Sequence, residues 1–150
     1  MRKISALVAT AFLMFTLFSC GSPDDEHKDK ITGTWYTTGK RSTIEIYKKD
    51  GDYFGKIVDL KRPLDRDGNK KKDFRNPDPA KQNNLLIGTE VLIDLEYEGD
   101  KVWSDGRFYD HRKGKLYDCQ VTLTKEGNLK VQAEGKERVM VWRANPEYVE

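Results

Sequence analysis

From Ile31 onward the chain repeats one pattern. Short runs in which apolar and polar residues alternate are separated by turn residues at intervals of about ten residues. Alternation at a period of two places successive side chains on opposite faces of a strand, so each run reads as a half-buried antiparallel strand. Thr43–Tyr47 alternates, Lys49-Asp50-Gly51-Asp52 turns, and Tyr53–Leu60 returns. An Asp-Gly pair between two such runs is a hairpin signal. Val91, Ile93, Leu95 and Tyr97 fall on one face, with Leu92, Asp94 and Glu96 on the other. Short strands follow at Lys101–Trp103 and Gly106–Tyr109. Tyr117, Cys119, Val121 and Leu123 alternate next, then Leu129, Val131 and Ala133, and Val139–Arg143 closes the series. No stretch carries a convincing helical period. The expected fold is all-β: an antiparallel up-and-down barrel of about eight or nine strands, because sequential hairpins favour closure into a barrel over a two-sheet sandwich.

Residues 61–86 interrupt the rhythm with Pro63, Pro77, Pro79, Gly68 and several asparagines. A connection this long is uncommon in a compact domain and is often functional, as a lid or binding loop. A short helical turn is expected around Pro79–Asn83. Eight basic residues (Lys61, Arg62, Arg66, Lys70, Lys71, Lys72, Arg75, Lys81) face four acidic ones (Asp65, Asp67, Asp73, Asp78), a local charge of 8 − 4 = +4. Such a loop suits lipid headgroups or an anionic glycan, or simply solvent. Asp65-Arg66-Asp67-Gly68-Asn69 resembles a calcium loop only superficially. It lacks the third acidic position and the distal glutamate, and three lysines follow it, so it reads as a tight turn and no metal site is expected.

The N-terminus has a different composition. Arg2 and Lys3 precede an apolar run from Ile4 to Phe18, which has the length of a signal-peptide core and is short for a membrane span. It ends in Leu17-Phe18-Ser19-Cys20-Gly21, which resembles the lipobox of bacterial lipoproteins. That resemblance implies cleavage before Cys20 and its acylation, hence a chain anchored on a membrane without spanning it. The expected organisation is a signal peptide over 1–19, the acylated cysteine and a flexible tether over 20–30, and a β-barrel domain over 31–145. The cluster Asp24-Asp25-Glu26 resembles the surface-export signal of some Gram-negative lipoproteins. The implied location is the cell envelope, at the outer membrane, periplasmic or surface-exposed. Cleavage removes Arg2 and Lys3, so Lys plus Arg falls from 27 to 25 against 25 acidic residues, and the net charge becomes 25 − 25 = 0. The slight basicity of the full chain therefore gives no support to nucleic-acid binding.

Taken in order, Gly33-Thr34-Trp35, Glu45-Ile46-Tyr47 with Asp50-Gly51, Tyr53-Phe54-Gly55-Lys56-Ile57, Asp73, Asn76-Pro77-Asp78, Gly88, Trp103-Ser104-Asp105-Gly106, Tyr109-Asp110, Gly114-Lys115-Leu116-Tyr117 and Trp142-Arg143 resemble the bacterial envelope family called domain of unknown function 2147. The resemblance covers nearly all of the chain after the tether. It departs at His111, where proline is usual, and at Asp105, where a small residue is common. The family is similar to lipocalins in general plan. The resemblance implies that Gly33 and Trp35 open the first strand and that Arg143, on the last, packs against the tryptophan as a structural latch. A cation on an indole face contributes about 0.5–2 kcal/mol.

Chemistry is sparse. Cys119 sits alone on an apolar strand face and reads as a small packed hydrophobe. Asp110 and His111 could supply an acid–base pair, but neighbours on a strand point to opposite faces, so no catalytic residue is assigned and the chain is not expected to be an enzyme. No cofactor is expected. Tyr36, Tyr47, Tyr53, Trp103, Tyr109 and Tyr117 could line a pocket with Asp73 and Asn76 at its mouth. Of these, Asp73, Asn76, Trp103, Tyr109 and Tyr117 are the candidate ligand or loop site. The expected function is non-enzymatic binding of a small amphipathic or lipid-like ligand inside the barrel. The alternative is a scaffold or interaction module acting through the 61–86 loop.

Overall fold

The computed structural model describes residues 26–135 and 139–146; the signal segment and Cys20 lie outside the described residues. Eight strands run in chain order: β1 Gly33–Tyr36, β2 Ser42–Lys49, β3 Asp52–Leu60, β4 Glu90–Gly99, β5 Val102–Asp110, β6 Lys115–Leu123, β7 Asn128–Ala133 and β8 Met140–Ala144. Each pairs antiparallel with its sequence neighbours, and β8 returns to β1, so the sheet closes as an up-and-down barrel. The β2–β3 turn has the expected chemistry. Asp50 (φ +54°) and Gly51 (φ +100°) both take left-handed conformations, as a two-residue type I′ hairpin requires.

Two bulges explain where the sequence pattern misleads. Asp94 (φ +54°) and Asp105 (φ +55°) each adopt a left-handed conformation inside a strand. In β5 the register against β6 shifts between Trp103 and Gly106, so the two short strands expected there are one bent strand, and the count is eight. In β4 the extra residue at Asp94 shifts the inward set. Leu92 and Leu95 are fully buried, and Ile93 stands across from Arg107 on the other face. The uniform face expected for Val91, Ile93, Leu95 and Tyr97 is therefore broken at the bulge.

The interior is filled by side chains. Trp103, Trp142, Tyr53, Ile44, Ile46, Ile57, Leu92, Leu95, Leu129, Val121 and Val131 all have relative exposures of 2% or less. Small barrels are either packed in this way or hold one small ligand; here two indoles and a phenol occupy the centre. One end is closed by a 3-10 turn, Lys28–Ile31, whose Ile31 is fully buried. The tether expected through Lys30 thus ends in ordered structure.

At the β1–β8 seam, Trp35 stands opposite Ala144 and Tyr36 opposite Arg143. Trp35 is buried, and its indole N–H donates to the Ile31 carbonyl at 2.8 Å. Arg143 is exposed, because it follows the inward Trp142 and must point outward. Among the described residues the cation–ring contacts are those of Lys40 on Tyr36, Lys48 on Tyr53, Lys49 on Phe54, Lys56 on Tyr47 and Arg75 on Phe74. The Arg143–Trp35 stack is thus replaced by backbone pairing at the seam and an indole bond to the closing turn.

Candidate functional site

The β3–β4 connection, 61–89, is folded rather than structureless. Leu64 bridges to Lys70, closing a tight turn over 65–69. Asp65 Oδ1 accepts from the backbone N–H groups of Asp67 and Asn69, both at 2.9 Å, which holds the turn closed. Lys72 bridges to Leu85, and Asp73 N–H donates to the Asn84 carbonyl at 3.0 Å while Leu86 N–H donates to that of Lys71 at 2.9 Å. The helical turn is a 3-10 segment, Pro79–Lys81, capped by the Asp78 side chain accepting from Ala80 N–H at 3.0 Å.

This ribbon lies against the outer wall of the barrel. Phe108 and Leu92 face inward as a cross-strand pair, so Tyr109 and Ile93 face outward, and Leu116, opposite Tyr109, faces outward with them. The loop covers Tyr109 and part of Ile93 and leaves Leu116 exposed at its edge. Asp73 is 2% exposed and Tyr109 4%; the Tyr109 hydroxyl donates to Asp73 Oδ1 at 2.8 Å, and Asn76 Nδ2 donates to Oδ2 at 2.7 Å. Both carboxylate oxygens are thereby satisfied, as a buried carboxylate requires. Burial, then the bond to Asp73, raises the Tyr109 phenol above its ordinary pKa and keeps it a donor. A second contact reinforces the docking: Arg75 donates to the Arg112 carbonyl in the β5–β6 turn.

Between loop and wall lies an open cleft of about 290 Å³, lined by Asp73, Asn76, Lys81, Glu90, Ile93 and Leu116 among others. Asn76 is held in place on three sides. It donates to Asp73, its Oδ1 accepts from Asp78 N–H at 3.0 Å, and its carbonyl accepts from Gln82 at 2.9 Å. Glu90 accepts from the Tyr47 hydroxyl at 2.7 Å. Burial, then that bond, pushes the Tyr47 pKa up to about 12. Lys81 is 63% exposed and 4.0 Å from Asp78. The cleft thus offers a carboxylate, an ammonium and an apolar wall of Ile93 with the more exposed Leu116 at its edge.

Of the candidates read from the sequence, Asp73, Asn76 and Tyr109 meet here, outside the barrel. Trp103 is buried in the interior and Tyr117 is half-buried on the same inward face, opposite Phe108. The pocket of aromatic residues expected inside the barrel is therefore not assembled: Tyr36 and Tyr47 stand on the outside, and Tyr53 and Trp103 are core. Lys81, Glu90, Ile93 and Leu116 join the cleft without having been singled out. Strand parity relative to the two bulges is the signal that could have found Glu90, Ile93 and Leu116, whereas Lys81 lies on the 3-10 turn and carries no such signal. His111 is half-buried, and burial holds its imidazole below the ordinary histidine range. Asp110, buried next to it, accepts from the backbone N–H of Arg112 at 3.1 Å. Cys119 is buried, which pushes its thiol up to about 12 and leaves it a packing residue.

A bacterial family described as an uncharacterized protein conserved in bacteria, DUF2147, matches residues 33–143, from the start of β1 to Arg143 in β8. The chain belongs to this family. A solved structure of the DUF2147 protein's fold class is that of protein HP1028 from the human pathogen Helicobacter pylori, a protein of the lipocalin family. It is 25% identical over 71% of this chain and 73% of that one, with a TM-score of 0.59. The DUF2147 barrel is thus lipocalin-like, as its strand order indicates. No curated protein matches the chain.

Proposed function

We propose that this DUF2147 protein is a lipid-anchored binding protein of the bacterial cell envelope. In this reading it is held at the outer membrane through Cys20 and takes a small amphipathic ligand in the cleft between loop and wall. A lipocalin-like barrel is consistent with a binding protein, and the filled interior supports a site on the barrel's outside over one at its centre. The observation that carries the reading is the docking of Asp73 and Asn76 on Tyr109, which fixes one wall of a cleft of about 290 Å³. That volume is at the lower end of small-molecule sites. Ile93 and Leu116 would take the apolar part of the ligand, Glu90 a cationic or hydroxyl group, and Lys81 an anionic one.

The anchor is tested by fractionation. A Cys20→Ser chain is expected to leave the membrane fraction and to lose label from radioactive palmitate; unchanged partition and label would remove the anchor. The cleft is tested by native mass spectrometry of the chain purified from its envelope. Ile93→Trp, which fills the cleft from its apolar wall, is expected to strip any bound mass while the barrel stays folded. An adduct that survives this change would place the ligand elsewhere.

A further inference from the structure

The outward face of the same loop has a pattern that the cleft does not use. Antiparallel bridge partners point to one side of a ribbon, so Leu64 with Lys70, and Lys72 with Leu85, share faces. Lys70 and Lys72 are two residues apart, as are Leu85 and Ile87, which joins both pairs into one face. Phe74 continues it from Lys72. The alternate residues, Asp73 and Leu86, are buried toward the barrel. Side chains on the outward face are therefore unusually apolar for solvent: Phe74 is 68% exposed, Leu64 49%, Leu85 45% and Ile87 41%. Leu116 of the adjoining wall, at 44%, lies at the edge of the cleft that the loop covers. Lys70 and Lys72 stand among them, exposed, and among the described residues no ion pair engages either.

We propose that this face, Leu64, Lys70, Lys72, Phe74, Leu85 and Ile87, docks the protein on an anionic lipid surface. An apolar patch of this kind marks an interaction site. Its partner has to accept apolar side chains and lysine ammonium groups side by side. Protein interfaces deplete lysine from their centres, whereas the headgroup boundary of an anionic bilayer takes apolar side chains below and lysine heads among the phosphates. The charge complements that partner, since the segment 61–86 carries +4. The ribbon is held to the wall by the Tyr109–Asp73 and Arg75–Arg112 bonds, so the face is presented without first having to fold. Membrane contact here is independent of the acyl anchor and of the cleft, which uses the opposite side of the ribbon.

The test is amide hydrogen exchange of the full chain, read peptide by peptide, on phosphatidylglycerol and on phosphatidylcholine vesicles. Residue-level readout separates this face from anything the N-terminus does. Exchange across residues 62–87 is expected to slow severalfold on phosphatidylglycerol and to be unchanged on phosphatidylcholine. Phe74→Ser with Leu85→Ser is expected to abolish the slowing, and Lys70→Gln with Lys72→Gln to reduce it by about tenfold in lipid concentration. The strands β5–β7 serve as the internal control for folding, and Phe74→Ser alone removes a side chain too exposed to hold the fold. Loop exchange unaffected by phosphatidylglycerol, or slowed equally by both lipids, would overturn the proposal. So would equal slowing by soluble heparin in the Phe74→Ser, Leu85→Ser chain, which would show a site that reads charge alone.

Discussion

Two tyrosine–aspartate hydrogen bonds fasten the N-terminal 3-10 turn and the long β3–β4 loop to this barrel, and they do so in opposite environments. At the closed end Tyr53 donates from the core to Asp29 of the N-terminal 3-10 turn at 2.6 Å. On the outer wall Tyr109 donates to Asp73 of the long loop at 2.8 Å. Asp29 is exposed and shared with Lys48 at 3.0 Å, so water and a lysine can replace the phenol. Asp73 is 2% exposed, so little water can take the phenol's place. The cost of losing a partner depends on whether the remaining group can be solvated. The same pair of residue types is therefore a minor fastening at one site and a structural requirement at the other.

The largest effect expected on this contrast comes from Gly114 in the β5–β6 turn. Its φ is +63°, and a Cβ there would run into the Arg75 carbonyl, so Gly114→Ala forces the loop off the wall. A loss of about 2–3 kcal/mol in denaturant unfolding is expected, with exchange protection lost first at Asp73 and Leu86. Next is Tyr109→Phe, which leaves one Asp73 oxygen buried without its donor and is expected to cost about 1–3 kcal/mol. If that variant unfolds like the wild type, with the loop still protected, Asp73 is better solvated than its burial indicates and the contrast with Asp29 collapses.

The barrel was legible because its signals are local. Asp50-Gly51 specifies its own turn, and the alternation of Tyr117–Leu123 specifies its own face. The site was legible only as a set of residues. Asp73, Asn76 and Tyr109 stood out by type, yet their position outside the barrel depends on two left-handed aspartates, Asp94 and Asp105, that no propensity marks as bulges. One residue of offset exchanges inside for outside, which is why Ile93 was read with Leu95 and why Tyr109 was read with Trp103. The Arg143 latch failed for the same reason: Trp142 takes the inward position, and its neighbour cannot share it. The exposed face of the loop needed the bridges Leu64–Lys70 and Lys72–Leu85, which pair residues across turns of irregular length.

A smaller effect is expected at the closed end. Tyr53→Phe removes a donor from an exposed carboxylate that keeps Lys48, so a loss below about 1 kcal/mol is expected from the hydrogen bond itself. A loss as large as that of Tyr109→Phe would show that the 3-10 turn depends on this phenol after all.

The smallest effect is also the most specific, because it reads the Tyr53–Asp29 bond directly. The bond to Tyr53, and then that to Lys48, hold the Asp29 carboxyl below its ordinary range. A depressed folded-state pKa means that the unfolded chain binds the proton more readily. Asp29 therefore adds stability that is complete above its unfolded pKa of about 3.9 and is lost as pH falls through the lower, folded value. Carboxyl NMR titration should find Asp29 titrating below that reference in the wild type and moving back toward it in Tyr53→Phe. Because Lys48 remains, the return should be partial. A complete return would make the phenol the whole cause, and no movement would assign the depression to Lys48.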